Sequence, residues 1–231
     1  MARPTKKSPP DLPSLVLDGR IVYIGMPLVP SVTELVICEL LWLNYDQPDQ
    51  PIYLYINSTG SQTPDGQSVG FETEAFAILD TMDYVRPMKY TVALSQAYGN
   101  AALLLAAGRK GYRYSMPHTR IKLQAPIINQ SYDVATNAAI KANELKTSTE
   151  SYVELMSEFT GRDIETVRQE SGRDKYYTPE EAIEYGLIDK VIKSADALML
   201  ERDYNRMLAE SQAMEKRMGG TPTEGPSTGA E

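Results

Sequence analysis

The sequence predicts an α/β domain built on a mostly parallel sheet. Strand-like runs alternate with helix-like segments along the chain. One run, Ile52-Tyr-Leu-Tyr-Ile56, is nearly continuous in apolar character, which suits a strand buried on both faces beneath helices. Two polar, glycine-bearing turns, Ser58 to Ser61 and Ser95 to Asn100, each follow such a run. Sites in open α/β sheets form at the carboxyl ends of strands.

Each element has its own signal. Residues 1–13 are polar, carry four prolines and read as a flexible arm. Ile21 to Ile24 is a β-branched and aromatic strand closed by Gly25. Ser31 and Glu34 have capping-box spacing, which starts a helix that ends near Tyr45. The strand at Ile52–Ile56 follows, then a polar stretch, residues 62–70. Glu72 to Tyr84 places Phe76, Leu79 and Met82 on one helical face. Tyr90 to Leu94 is a strand, and Ala101 to Ala107 is helical on propensity. Tyr112 to Tyr114 and Thr119 to Leu123 are short strands around Pro117. Residues 133–160 form one long helix ended by Gly161. Short helices at Glu165–Glu170 and Pro179–Gly186 and a strand at Leu187–Ile192 complete the domain, residues 14–193. A further helix, residues 194–218, and a disordered tail, residues 219–231, are expected beyond it.

Composition removes several function classes. The 231 residues carry 31 acids against 23 bases, a formal charge of −8 that disfavours a phosphate backbone. No apolar run approaches the roughly 20 residues that span a bilayer. Neither nucleic acid nor membrane is therefore expected as a partner. One cysteine excludes an internal disulfide framework, and one histidine excludes paired-histidine metal sites. No metal and no cofactor is expected. Any imidazole-based mechanism within the chain must use His118.

Several ordered motifs carry a family resemblance. Tyr53-Leu-Tyr-Ile-Asn-Ser58, Asp80-Thr-Met82, Gln96-Ala-Tyr-Gly-Asn-Ala-Ala-Leu-Leu-Leu-Ala-Ala-Gly108, Ser115-Met-Pro-His-Thr-Arg120 and Glu180-Glu-Ala-Ile-Glu-Tyr-Gly-Leu-Ile-Asp189 are collinear. Together they resemble the ClpP family, the proteolytic subunits of the ATP-dependent Clp protease. The resemblance implies the ClpP/crotonase-like fold, a superhelix of repeated β-β-α units with a long handle helix at residues 133–160.

The departures fall on the chemistry. Gly99 stands where the family has its nucleophilic serine, and Gln124 stands where it has the general-base histidine. Asp174 is retained. The oxyanion positions are altered to Ser61 and Asn100. Glycine cannot hold an acyl group, and a glutamine amide has no protonation equilibrium near neutral pH. An aspartate of a triad only orients and stabilises an imidazolium, which is missing here. His118 lies six residues before Gln124, roughly 20 Å away along an extended segment, and reads as a turn histidine. Ser58, Ser61 and Ser95 read as turn serines. Lys122 would share a strand face with Gln124, so a Ser–Lys dyad is conceivable, against a solvated strand-end lysine.

This pattern resembles ClpR, the catalytically degenerate ClpP paralogue of cyanobacteria and plastids. The resemblance implies a structural and regulatory subunit that joins an active ClpP paralogue in seven-membered rings stacked in pairs. An ATP-consuming AAA+ unfoldase of the ClpC kind would dock outside. Its implied docking positions are Tyr53, Tyr55, Tyr84, Val92, Leu94, Tyr114 and Met116, against plain core packing. Arg173 and Asp174 match a ring-to-ring contact, against a surface ion pair. The insert at residues 62–70 either covers the vestigial pocket or is a solvated excursion. A cyanobacterial cytoplasmic protein is expected, with the plastid stroma as the alternative. Two other functions stay open: a residual hydrolase using Ser95 or Ser61, and a crotonase-like acyl-CoA-handling protein.

Overall fold

In the computed structural model, which describes residues 12–63, 65, 67–127 and 134–193, a seven-stranded sheet carries the domain. Strands β1 (Ile21–Ile24), β2 (Ile52–Ser58), β3 (Lys89–Tyr98), β4 (Arg113–Ser115) and β7 (Lys190–Val191) lie side by side in that order, all parallel. Strand β5 (Arg120–Leu123) pairs with the second half of β3, and β6 (Lys175–Tyr177) runs antiparallel on β5. The α/β class and the dominant parallel pairing are those the sequence predicts.

The strand at Ile52–Ile56 is a correction. It alternates rather than being buried on both faces: Ile52, Leu54 and Ile56 are wholly buried, while Tyr53 and Tyr55 are half-buried. Tyrosine reads as apolar in a run, yet its hydroxyl favours a half-wet position. A second correction concerns Ser95 to Asn100, expected as a turn. Strand β3 continues to Tyr98, because Gln96, Ala97 and Tyr98 find partners in Arg120, Ile121 and Lys122. Tertiary pairing overrides weak local propensity there. The ladder with β2 slips between Ile56↔Ala93 and Ser58↔Ala97, and this bulge turns the end of β3 towards β5.

The helices follow their capping chemistry. Helix α1 (Leu12–Asp18) was not predicted, and its first two residues fall within the stretch read as an arm. Helix α2 (Pro30–Asp46) starts on Pro30 after an extended Val29, so Ser31 is not its cap. Proline fits that first position because its missing N–H would have no partner anyway. Helix α3 (Glu72–Tyr84) has the predicted bounds and buries Ala75, Ile78, Leu79 and Met82. Helix α4 (Asn100–Ala106) is buried along its whole length. Helix α5 (Ala135–Thr160) buries only Ser148, Tyr152, Val153 and Met156, so its first half stands off the domain. Helix α6 (Ile164–Ser171) is capped by Asp163, and α7 (Pro179–Tyr185) by a Thr178–Glu181 capping box. The expected strand at Leu187–Ile192 shrinks to β7. Residues 1–11, 194–218 and 219–231, and so the expected terminal helix and tail, lie outside the described residues.

One buried ion pair ties the end of the sheet together. Arg113 donates to Asp189 through Nε (3.0 Å) and Nη2 (2.7 Å), and its Nη1 donates to the Phe159 carbonyl at the end of α5 (3.0 Å). The backbone N–H groups of Gly111 and Arg113 also donate to Asp189.

Candidate functional site

Between β3 and α4 the chain makes a sharp strand-to-helix turn on Gly99, whose φ is 51° and ψ −115°. Turns of this kind expose the nucleophile of many hydrolases, and this backbone conformation strains any residue with a side chain. The Gly99 N–H donates to the Lys122 carbonyl (2.9 Å), and its carbonyl accepts from Ala102 (3.0 Å). A Cβ placed on Gly99 would meet only the Gln124 carbonyl, at 3.6 Å. The elbow thus has room for a side chain and carries none.

The opposing turn is locked against this elbow. Gly60 adopts a φ of 70°, and a Cβ there would come within 2.5 Å of the Tyr98 carbonyl. Only glycine allows that approach. The result brings Ser61 and Asn100, the two positions that the sequence matched to the oxyanion hole, into contact. Asn100 Nδ2 donates to Ser61 Oγ (2.6 Å) and also to Glu72 Oε2, while Ser61 Oγ donates to the same carboxylate (3.5 Å). Ser61 and Asn100 are both buried. Burial pushes the Glu72 carboxyl up, and the hydrogen bonds from Asn100 and Ser61 offset part of that. With Gln124 and Gly99 these residues line a cavity of about 10 Å³, the threshold for one water.

The sequence reading has Glu72 only as the first residue of a helix and not as a site residue. Its only local signal was an acid opening a helix after the insert. The described residues of the insert pair across it: Gln62 bridges Ser68, and Thr63 N–H donates to the Gln67 carbonyl (2.8 Å). Val69 N–H then donates to the Ser61 carbonyl (2.9 Å), so the chain returns to the pocket before α3 begins. A larger groove of about 490 Å³ lies between this return and α5, with Val69, Phe71, Ile127 and Leu145 among its walls.

The retained aspartate has another partner. Asp174 pairs with Lys122 (3.2 Å), whose ammonium lies 5.3 Å from the Tyr98 ring centroid and 5.7 Å from that of Tyr176. Lys122 is buried in this tyrosine cage, which corrects the expectation of a solvated lysine. Its Nζ is held by Asp174 and the two rings, not by a serine. His118 sits exposed in the turn between β4 and β5, and Ser95 is exposed on β3. Arg173 is exposed beside Asp174.

The docking candidates divide. Tyr53, Tyr55, Val92, Leu94 and Tyr114 share the sheet face opposite the buried Ile52, Leu54 and Ile56, with Tyr55, Val92 and Tyr114 in one cross-strand row. Val92 is wholly buried within it. Met116 follows two residues after Tyr114, while Tyr84 is exposed at the end of α3. Two members of this face were missed. Tyr90 stacks on Tyr112 (4.3 Å between centroids) and meets Tyr53 edge-on (5.4 Å).

Residues 6–195 match the Clp protease family. The chain belongs to the Clp protease family. It is 47% identical over 217 residues to the Arabidopsis thaliana "ATP-dependent Clp protease proteolytic subunit-related protein 1, chloroplastic", covering 94% of this chain and 56% of that protein. It is 45% identical over 203 residues to a "putative ATP-dependent Clp protease proteolytic subunit-like" protein of Synechocystis, covering 82% of this chain and 88% of that one. A Gloeobacter violaceus "ATP-dependent Clp protease proteolytic subunit 2" is 45% identical over 185 residues, 80% of this chain and 81% of that protein. The chain thus spans little more than half the length of the first of these relatives. Clp membership accounts for the mixed sheet and the projecting α5.

Proposed function

We propose that this Clp-family chain is a non-catalytic, ClpR-type subunit that co-assembles with an active ClpP paralogue in the stacked-ring core of a Clp protease. The observation that carries the reading is the empty elbow: Gly99 has the backbone of a nucleophile position and no side chain. Gln124 faces it, and Asp174 is engaged by Lys122. Gln124, at the position matched to the general base, takes up no proton from an attacking hydroxyl, and the nearby Glu72 carboxylate is engaged by Asn100 and Ser61. The chain dilutes the active sites of a mixed ring and supplies wall and contacts.

Two surfaces support the assembly half of the reading. The exposed first half of α5 suits a ring-to-ring handle, and the exposed Arg173 and Asp174, between α6 and β6, contribute to that contact. The tyrosine-rich sheet face offers aromatic, half-buried rings to a Clp-type AAA+ unfoldase. A cyanobacterial cytoplasm, with the plastid stroma as the alternative, is consistent with relatives that are chloroplastic in Arabidopsis or come from Synechocystis.

The test is co-expression with an active ClpP paralogue, native mass spectrometry of the product, and peptide hydrolysis. A mixed ring whose activity vanishes when only the partner's serine is substituted is the expected result. Activity that survives in that complex would overturn the reading and assign a nucleophile to this chain.

A further inference from the structure

The pocket that the family uses for an oxyanion is filled here by a carboxylate of the chain itself. Asn100 Nδ2 contributes one hydrogen to Ser61 and one to Glu72, and the Ser61 hydroxyl closes the ring on the same Glu72 oxygen. The amide orientation follows from chemistry: turned over, Asn100 would set its carbonyl oxygen against a carboxylate. One hydrogen from each of these two side chains therefore ends on Glu72, and the remaining amide hydrogen of Asn100 ends on Ser61.

Among the described residues, Glu72 alone lines both the 10 Å³ cavity at the elbow and the 490 Å³ groove beside α5. The return of the chain to Ser61 sets it there, because the Val69 and Gly70 N–H groups, just before Glu72, both donate to the Ser61 carbonyl (2.9 and 3.4 Å). Helix α3 then fixes Glu72 as its first residue.

We propose that the former oxyanion pocket of this chain is a carboxylate-binding pocket whose resident ligand is the Glu72 side chain, which bars the neighbouring groove from the Gly99 elbow. A peptide carbonyl arriving along the groove finds the Asn100 and Ser61 side-chain donors occupied by a carboxylate, and charged acceptors hold such donors more strongly than neutral ones. Removing the Glu72 side chain leaves a vacant, carboxylate-shaped site lined by Asn100 and Ser61. The proposal deepens the non-catalytic reading but involves no catalysis in its test, so either can fail without the other.

The full chain with Glu72→Ala is melted in sodium formate and in sodium chloride of equal ionic strength, beside wild type and Glu72→Gln. Formate at ten times its Kd should raise the melting temperature of the alanine variant by about 3–6 °C over chloride. Wild type and Glu72→Gln, whose pockets are filled, should show no such difference. Equal formate effects in all three chains, or none in the alanine variant, would overturn the proposal. A second measurement needs no variant. Water-soluble carbodiimide on the wild-type chain, mapped by mass spectrometry, should modify the exposed Asp83 at least tenfold faster than Glu72. Equal rates would mean that the pocket does not hold the carboxylate, and would overturn the proposal whether or not Glu72→Ala folds.

Discussion

Restoring a serine at the elbow separates its backbone geometry from its chemistry. In Gly99→Ser the new Cβ meets only the Gln124 carbonyl, at 3.6 Å, so no steric clash contributes. The cost is backbone strain at φ 51° and ψ −115°, about 1–3 kcal/mol for a residue with a Cβ. For a domain of this size each kcal/mol lowers the melting temperature by about 2–4 °C, so a fall of about 2–12 °C is expected. Gly99→Ala should fall by a similar amount, because the strain belongs to the Cβ and not to the hydroxyl. Fluorophosphonate labelling of the purified serine variant should stay at the level of the alanine variant, since Gln124 takes no proton. Both arms refute. A serine variant labelled more than tenfold faster than alanine would mean that a base reaches the elbow, with Lys122 released from Asp174 as the first suspect. Two variants as stable as wild type would mean that the elbow does not hold the strained geometry argued for it.

Asp189→Asn should destabilise the chain by about 3 kcal/mol in urea titration, because the Arg113 guanidinium, only 5% exposed in its side chain, loses its anion. Burial alone would raise the Asp189 carboxyl, but hydrogen bonds from Arg113 and its charge outweigh that and hold it below the usual range. Its folded value thus lies below the unfolded one near 3.9. The contribution is full above the unfolded value and fades as pH falls through the folded one, so the gap between wild type and Asp189→Asn should narrow below about pH 4. Asp174→Asn should cost only about 1 kcal/mol in the same titration, since the carboxylate is 47% exposed and Lys122 keeps both tyrosine rings. Tyr112→Ala removes the stack on Tyr90 and should lower stability by about 0.5–1.5 kcal/mol beyond its lost buried area. In the assembled protease it should reduce unfoldase-dependent degradation while leaving short-peptide hydrolysis unchanged, and an equal loss of both would argue against docking on this face.

The legible parts of this fold were those that local physics writes locally. Helix α3 has its predicted ends because an acidic first turn and a periodic apolar face coincide there. Gly161 ends α5 as expected. What escaped depends on distant partners. Strand β3 runs through Ser95-Gln96-Ala97-Tyr98, a stretch with turn composition, because β5 lies beside it. Strand β6 is three residues that exist as a strand only against β5. In the site, Gly99, Gln124, Ser61 and Asn100 were all named from the sequence, and the structure brings them to one small cavity. Glu72 was not named as a site residue, since eleven residues separate it from Ser61 and the insert between them must close before they meet. Lys122 was assigned to solvent because its cage draws one ring from β3 and another from β6.

That division also bears on why glycine, rather than any other inert residue, suits the elbow of a scaffold subunit. An alanine or valine at position 99 would remove the nucleophile and keep the strain. Glycine removes both, because the positive φ that burdens a side chain is within its ordinary range. The surrounding geometry cannot relax to accommodate another choice. Gly60 packs its Cα against the Tyr98 carbonyl, the Gly99 amide is tied to Lys122, and α4 begins at once and is buried throughout. A chain that must keep this turn for packing, and need not attack a carbonyl, is most stable with no Cβ there. The same logic covers Asp174, whose charge serves the buried Lys122 when no imidazole is present to orient. On the proposed reading, positions that were costly for catalysis have become ordinary contributors to stability, the direction expected when the demand for activity is lifted from a strained site.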